Sequence, residues 1–124
     1  MEVRIKRVYE PYEESDGYRV LVDRLWPRGL TKERVHYNVW EKGIAPSTEL
    51  RRWFGHDPAK WDEFKKRYVA ELNANPEAAA FAAELTSPKL ASYPCVTLLY
   101  AARNEADNEA VVLQKWLTAH EKQA

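Results

Sequence analysis

The chain has 124 residues, with 19 Lys and Arg against 19 Asp and Glu and 45% hydrophobic side chains. A chain this long buries roughly two-thirds of its unfolded surface, enough for one self-sufficient core, and the composition excludes disorder, collagen-like repeats and low-complexity tails. Zero net charge disfavours nucleic-acid binding driven by bulk electrostatics, which needs a basic excess to release counterions from phosphates.

Cys95 is the single cysteine, so an internal disulfide and a thiolate zinc cluster are both ruled out. Met1 to Arg7 alternates charged and apolar residues where a signal peptide would hold an apolar core. The longest apolar run, Cys95 to Ala102 broken only by Thr97, falls far short of the roughly 20 residues that span a bilayer. A cytoplasmic protein without a membrane segment is expected.

In chain order, Val3, Ile5 and then Val8 alternate with Arg4, Lys6 and Arg7, the period-two pattern of a half-buried strand. Glu10 to Gly17 is rich in turn formers and carboxylates and reads as an exposed connection. Tyr18 to Asp23 places Val20, Leu21 and Val22 in succession, as in a strand covered on both faces. Pro27 and Gly29 then force a loop, so Asp23 and Arg24 stand at the strand's C-terminal end.

Thr31 can cap a short helix, whereas residues 36–44 fit strand and loop equally. Ser47 is a good N-cap for a helix through Phe54, closed by Gly55, and Asp57-Pro58 supplies the cap and first-turn proline of the next. In that helix Trp61, Phe64, Tyr68 and Leu72 form one apolar stripe. Asn75-Pro76 opens an alanine-rich helix to about Leu85, which Ser87-Pro88 closes. Cys95 to Tyr100 is a second buried-strand run ending at Arg103-Asn104. Asp107 is the expected N-cap of a last helix carrying Val112, Leu113, Trp116 and Leu117. With no repeat or linker, residues 1–124 are expected to form a single α/β layer structure, with a short, at least partly parallel sheet and flanking helices.

Ligands in open α/β sheets bind outside the carboxyl ends of the strands. Asp23, Arg24, Trp26 and Arg28 follow the earlier strand, while Arg103 and Asn108 follow the later one. Parallel neighbouring strands would bring both groups to one cleft. Arginines beside the free N–H groups of a helix start suit a phosphate or carboxylate; the alternative is a structural ion pair between Asp23 and an arginine. Asp23 is the candidate general base, with Tyr100 or His56 as a proton carrier. His56 could equally cap the carbonyls of the preceding helix.

His36 and His120 are isolated, so no metal site and no cofactor are expected. Cys95 opens an apolar strand and reads as a buried, inert thiol. With four glycines, no phosphate loop, nucleophile elbow or Rossmann fingerprint is present. Trp26, Trp40, Trp53 and Trp61 beside Arg51 and Arg52 could stack bases, but aromatic residues at helical spacing are more often core.

The run YRVLVDRLWPRGL at Tyr18 to Leu30 is joined by the Ala45-Pro46-Ser47 turn, Trp53 to Pro58, Phe64 to Leu72, and Val96 to Ala102 with Asn108-Glu109-Ala110. Together these resemble the YeaO-like proteins, a domain-of-unknown-function family (DUF488), over nearly the whole chain. The resemblance implies a compact cytoplasmic α/β domain and no settled activity. It marks Asp23, Arg24, Trp26, Pro27, Arg28 and Gly29 as one strand-end signature, with Tyr100 and Asn108 in the second. Distant members carry a cysteine and a glutamate after the last strand and Cys-His-Arg at the helix start, where this chain reads Tyr100-Ala101-Ala102 and Asn108-Glu109-Ala110. Close relatives tend to carry histidine in place of Glu109, which here adds negative charge beside the proposed anion site.

Two functions follow as expectations. One is binding of an anionic metabolite, a nucleotide among the candidates, at the strand ends, with catalysis open. The other is a non-catalytic interaction module that meets a protein or nucleic-acid partner through exposed Trp and Arg residues around Trp26 and Trp53.

Overall fold

Strands β1 (Val3–Arg7), β2 (Tyr18–Leu21), β3 (Val39–Trp40) and β4 (Val96–Tyr100) form a sheet in the order β1-β4-β2-β3, and all three pairings are parallel. The computed structural model describes residues 1–123. The helices are α1 (Lys32–Val35), α2 (Thr48–Phe54), α3 (Trp61–Ala74), α4 (Pro76–Glu84) and α5 (Glu109–Gln123). Among the described residues no helix is long and apolar enough to cross a membrane.

β2 and β4 are neighbours, in the register Val20↔Leu98 and Leu21↔Leu99. Their uninterrupted apolar runs follow from burial on both faces. Tyr18, Val20, Val22, Leu98 and Tyr100 face the helices, where Phe64, Tyr68 and Leu72 of α3 present the stripe read from the sequence. Leu21 and Leu99 face the other way, onto Val8, Val35, Trp26 and Trp40. Residues 36–44, left open by the sequence, hold the two-residue edge strand β3 and a turn of 3-10 helix.

The return from the end of β1 to the start of β2 has no room for a long helix, so a loop lies back across the sheet's second face. Asp16 pins it. Its carboxylate accepts hydrogen bonds from Lys6 Nζ at 3.1 and 3.0 Å and from the Arg19 guanidinium. Arg19, only 1% exposed, also donates to the carbonyls of His36 and Val35 at 2.9 and 2.8 Å. Thr97 Oγ1 donates to the Asp16 carbonyl at 2.6 Å, and Cys95, a buried thiol, lies 3.3 Å from the same oxygen.

Helix starts follow the cap signals. Ser47 Oγ accepts from Leu50 N at 3.1 Å, and Gly55 ends α2 in the left-handed region. Asp57 caps a 3-10 turn that runs into α3, and Asn75 caps α4. The last helix differs from the expectation: Asn108, not Asp107, caps α5, its Oδ1 accepting from Val111 N at 3.2 Å.

Candidate functional site

The parallel pairing of β2 and β4 brings the segments that follow them to one end of the sheet, and a cavity of about 590 Å³ opens there. Asp23, Arg24, Trp26, Arg28, Arg103 and Asn108 all line it, and so does His56 from the turn after α2. Its opposite wall is the Ala45-Pro46 loop with Phe54 and Phe64.

That wall is fixed from three sides. Arg24 Nε and Nη2 donate to the carbonyls of Pro46 and Ala45, each at 3.1 Å. Tyr68 donates its hydroxyl to the Ile44 carbonyl at 2.7 Å, with burial holding the phenol well above its usual pKa. Glu71 accepts from Ser47 N at 2.9 Å and from Ser47 Oγ at 2.7 Å. Arg24 therefore shapes the cavity with two of its guanidinium nitrogens already committed.

Arg28, Arg51 and Arg103 are different. All three are exposed cavity residues, and among the described residues none has a carboxylate within ion-pair distance or a hydrogen bond from its guanidinium. The backbone around Arg28 is held by Tyr9, whose hydroxyl donates to the Arg28 carbonyl at 2.9 Å. The sequence reading placed Arg51 only among residues able to stack bases; its position one turn into α2, facing the cavity, depends on tertiary packing.

Asp23 is in no ion pair among the described residues. Its Oδ2 accepts from Ala101 N at 2.9 Å, tying the end of β2 to the end of β4, and its backbone carbonyl accepts from the Trp40 indole at 2.7 Å. Glu109 brings its carboxyl beside the Asp23 carboxyl in the cavity lining, within reach of a hydrogen bond between them. Burial, then that bond and the Asp23 charge, push the Glu109 carboxyl well above the usual carboxylate range. A raised pKa favours the neutral form of Glu109 and so weakens the repulsion between the two carboxyls. Four arginines against two carboxyls leave the cavity positive.

Residues 2–124 match the family described as the inactive DUF488-N3 subclade. The chain belongs to that family. It is 44% identical over 117 residues to YeaO of Escherichia coli strain K12, covering 94% of this chain and 97% of that one. It is 45% identical over 115 residues to Rv3073c of Mycobacterium tuberculosis strain H37Rv, covering 93% and 92%. Both relatives are described as uncharacterized. No solved structure matches the chain.

The residues at the two strand ends divide by role in this chain. Trp26 touches the cavity, yet its indole donates to the Leu30 carbonyl at 2.7 Å and its ring packs edge-on against Trp40 and Tyr37. Tyr100 does not line the cavity: the strand alternation turns it into the helix-side core, where burial raises its phenol pKa. Asn108, 1% exposed, uses both ends of its amide within the loop, with Nδ2 donating to the Asn104 carbonyl at 2.9 Å. His56 takes a left-handed conformation, and its imidazole makes no hydrogen bond among the described residues, leaving it open at the rim.

No cysteine, serine or threonine lines the cavity among the described residues. Nor is there a group of three or more His, Cys, Asp or Glu able to hold a metal.

Proposed function

We propose that this chain binds a small phosphate- or carboxylate-bearing molecule in the cavity at the C-terminal ends of β2 and β4, and holds it without turning it over. The observation that carries the reading is the set Arg28, Arg51 and Arg103, three exposed guanidiniums on the wall of one cavity that, among the described residues, make no ion pair and donate no hydrogen bond. Guanidinium forks match the oxygens of phosphate and carboxylate bidentately, and a cation with no internal partner gives up only water when an anion arrives. The raised pKa of Glu109 weakens the repulsion that a second carboxylate would add.

Binding in preference to turnover has two supports. The family is described as inactive, and among the described residues the cavity offers no thiol or aliphatic hydroxyl as a nucleophile. A lone, buried thiol fits a reducing compartment such as the cytoplasm.

The interaction-module reading draws less support, because Trp26 and Trp53 are half-buried and engaged within the chain. Arg67 lies 4.2 Å over the Trp53 ring, and Lys60 covers it at 5.2 Å.

A thermal-shift panel of inorganic phosphate, phosphomonoesters and small carboxylates, run beside Arg28→Ala, tests the proposal. Ligand at about a hundred times its Kd adds about 2.7 kcal/mol and raises the midpoint by several degrees. The expected result is a hit that Arg28→Ala loses. A panel flat for every anion, with the protein folded, contradicts it.

A further inference from the structure

The size and lining of the cavity say more about what fills it. At about 590 Å³ it falls in the range of pockets that enclose an organic molecule, and a bare phosphate would leave most of it to water. Leu25, an apolar side chain 58% exposed, stands at its mouth uncovered. Together with the half-buried Trp26 and the unbonded imidazole of His56, it offers apolar and flat surface to a ligand's body.

The polar groups are separated by kind. Arg28, Arg51 and Arg103 are exposed, whereas Asp23 and Glu109 lie deeper, and no arginine sits within 4.0 Å of either carboxyl. The two carboxyls line the inner part of the cavity side by side, and their oxygens are hydrogen-bond acceptors. Asp23 already takes one N–H, from Ala101, and that bond fixes the direction in which its carboxylate faces. A complementary ligand therefore carries its anion at the outer end, a flat apolar middle, and N–H donors at the inner end.

We infer that the ligand is a nucleoside monophosphate, with its phosphate on Arg28, Arg51 and Arg103 and the N–H edge of its base on the Asp23–Glu109 pair. The inference rests on the anion-binding reading above and deepens it. The carboxyl pair supplies selectivity for the base: a ligand without N–H donors leaves the Asp23 carboxylate desolvated and unmatched, and sites built this way reject such ligands strongly.

The test is calorimetric titration of the full chain with the common nucleoside monophosphates, ribose 5-phosphate, phosphoethanolamine and inorganic phosphate. It is repeated on Asp23→Asn, which keeps an acceptor for Ala101 N–H but removes the charge. The expected result is that at least one nucleoside monophosphate binds tenfold or more tighter than ribose 5-phosphate, a difference of about 1.4 kcal/mol. Asp23→Asn should lose that preference and still bind ribose 5-phosphate, with circular dichroism reporting its fold. Equal affinity for all phosphomonoesters overturns the base-recognition inference and leaves anion binding standing. Preference for phosphoethanolamine overturns it in favour of a simple amine. Absence of binding by any phosphate compound overturns both readings. A base preference in the wild type that survives in folded Asp23→Asn assigns recognition elsewhere and overturns the role of the pair.

Discussion

The carboxyl groups of Asp23, at the end of β2, and Glu109, in the first turn of α5, lie side by side in the lining of one cavity. A helix start ordinarily favours an ionised carboxylate, but burial and the neighbouring Asp23 outweigh that and raise the Glu109 pKa well above 4.5. A group whose folded pKa is raised contributes stability that is complete below its unfolded value and is lost as pH rises through the folded one. The wild-type melting midpoint should therefore fall, relative to Glu109→Gln, as pH rises above about 4.5. Parallel melting profiles for the two proteins over that window would show that Glu109 is not proton-bearing.

Asp16 has the opposite sign. Burial alone would raise its pKa, but the Lys6 hydrogen bond, the Glu13 N–H and the charges of Lys6 and Arg19 together lower it. Its contribution is present above the unfolded carboxylate range and is lost as pH falls through the folded value. Asp16→Asn leaves Arg19 buried without a counter-charge, and breaking such a pair costs about 3–5 kcal/mol. Urea denaturation of the two proteins measures this; a loss well under 1 kcal/mol would mean that the cluster is not a structural pin.

Gly17 joins that clamp to β2 at φ 68°, and a Cβ there would stand 2.2 Å from the Cys95 carbonyl oxygen. Gly17→Ala should therefore destabilise by roughly 1–3 kcal/mol through backbone strain and a displaced β2–β4 register. Chemical denaturation reads the loss, and an unchanged midpoint contradicts the close approach of loop and strand.

Much of this architecture was legible because the signals were local. The cap-and-proline pairs Asp57-Pro58 and Asn75-Pro76, the Ser47 cap and the stripe from Trp61 to Leu72 each act within a turn or two of helix. The apolar runs of β2 and β4 announced central strands, and two strand ends rich in Asp and Arg pointed to the cavity. What escaped the sequence depends on pairs far apart in the chain. β3 is held by two residues pairing to β2, Arg51 reaches the cavity because α2 packs on α3, and the Glu109 pKa rises because the fold buries its carboxyl beside Asp23. Asn108 displaced Asp107 as the α5 cap because Asn104 takes the N–H groups of Ala106 and Asp107 at 2.9 Å and turns the loop one residue further.

Two cavity arginines should separate by mutation. Arg24→Ala removes the two bonds to Ala45 and Pro46 that hold the far wall, costing about 1.5–3 kcal/mol of stability and weakening anion binding as the wall loosens. Arg103→Ala removes an exposed cation that makes no ion pair among the described residues and should leave stability within about 0.5 kcal/mol of wild type while reducing affinity. Equal destabilisation by both variants contradicts this division of roles.

The most direct test of the central claim is a titration of isotopically labelled protein with a phosphomonoester, followed by two-dimensional amide NMR. The account predicts saturable shifts concentrated at residues 23–28, 45–47, 51–56 and 101–109, with the Arg51, Arg28 and Arg103 side-chain signals among those that move. Shifts that are absent at millimolar ligand, or that cluster on the α3–α5 surface away from the strand ends, would contradict it.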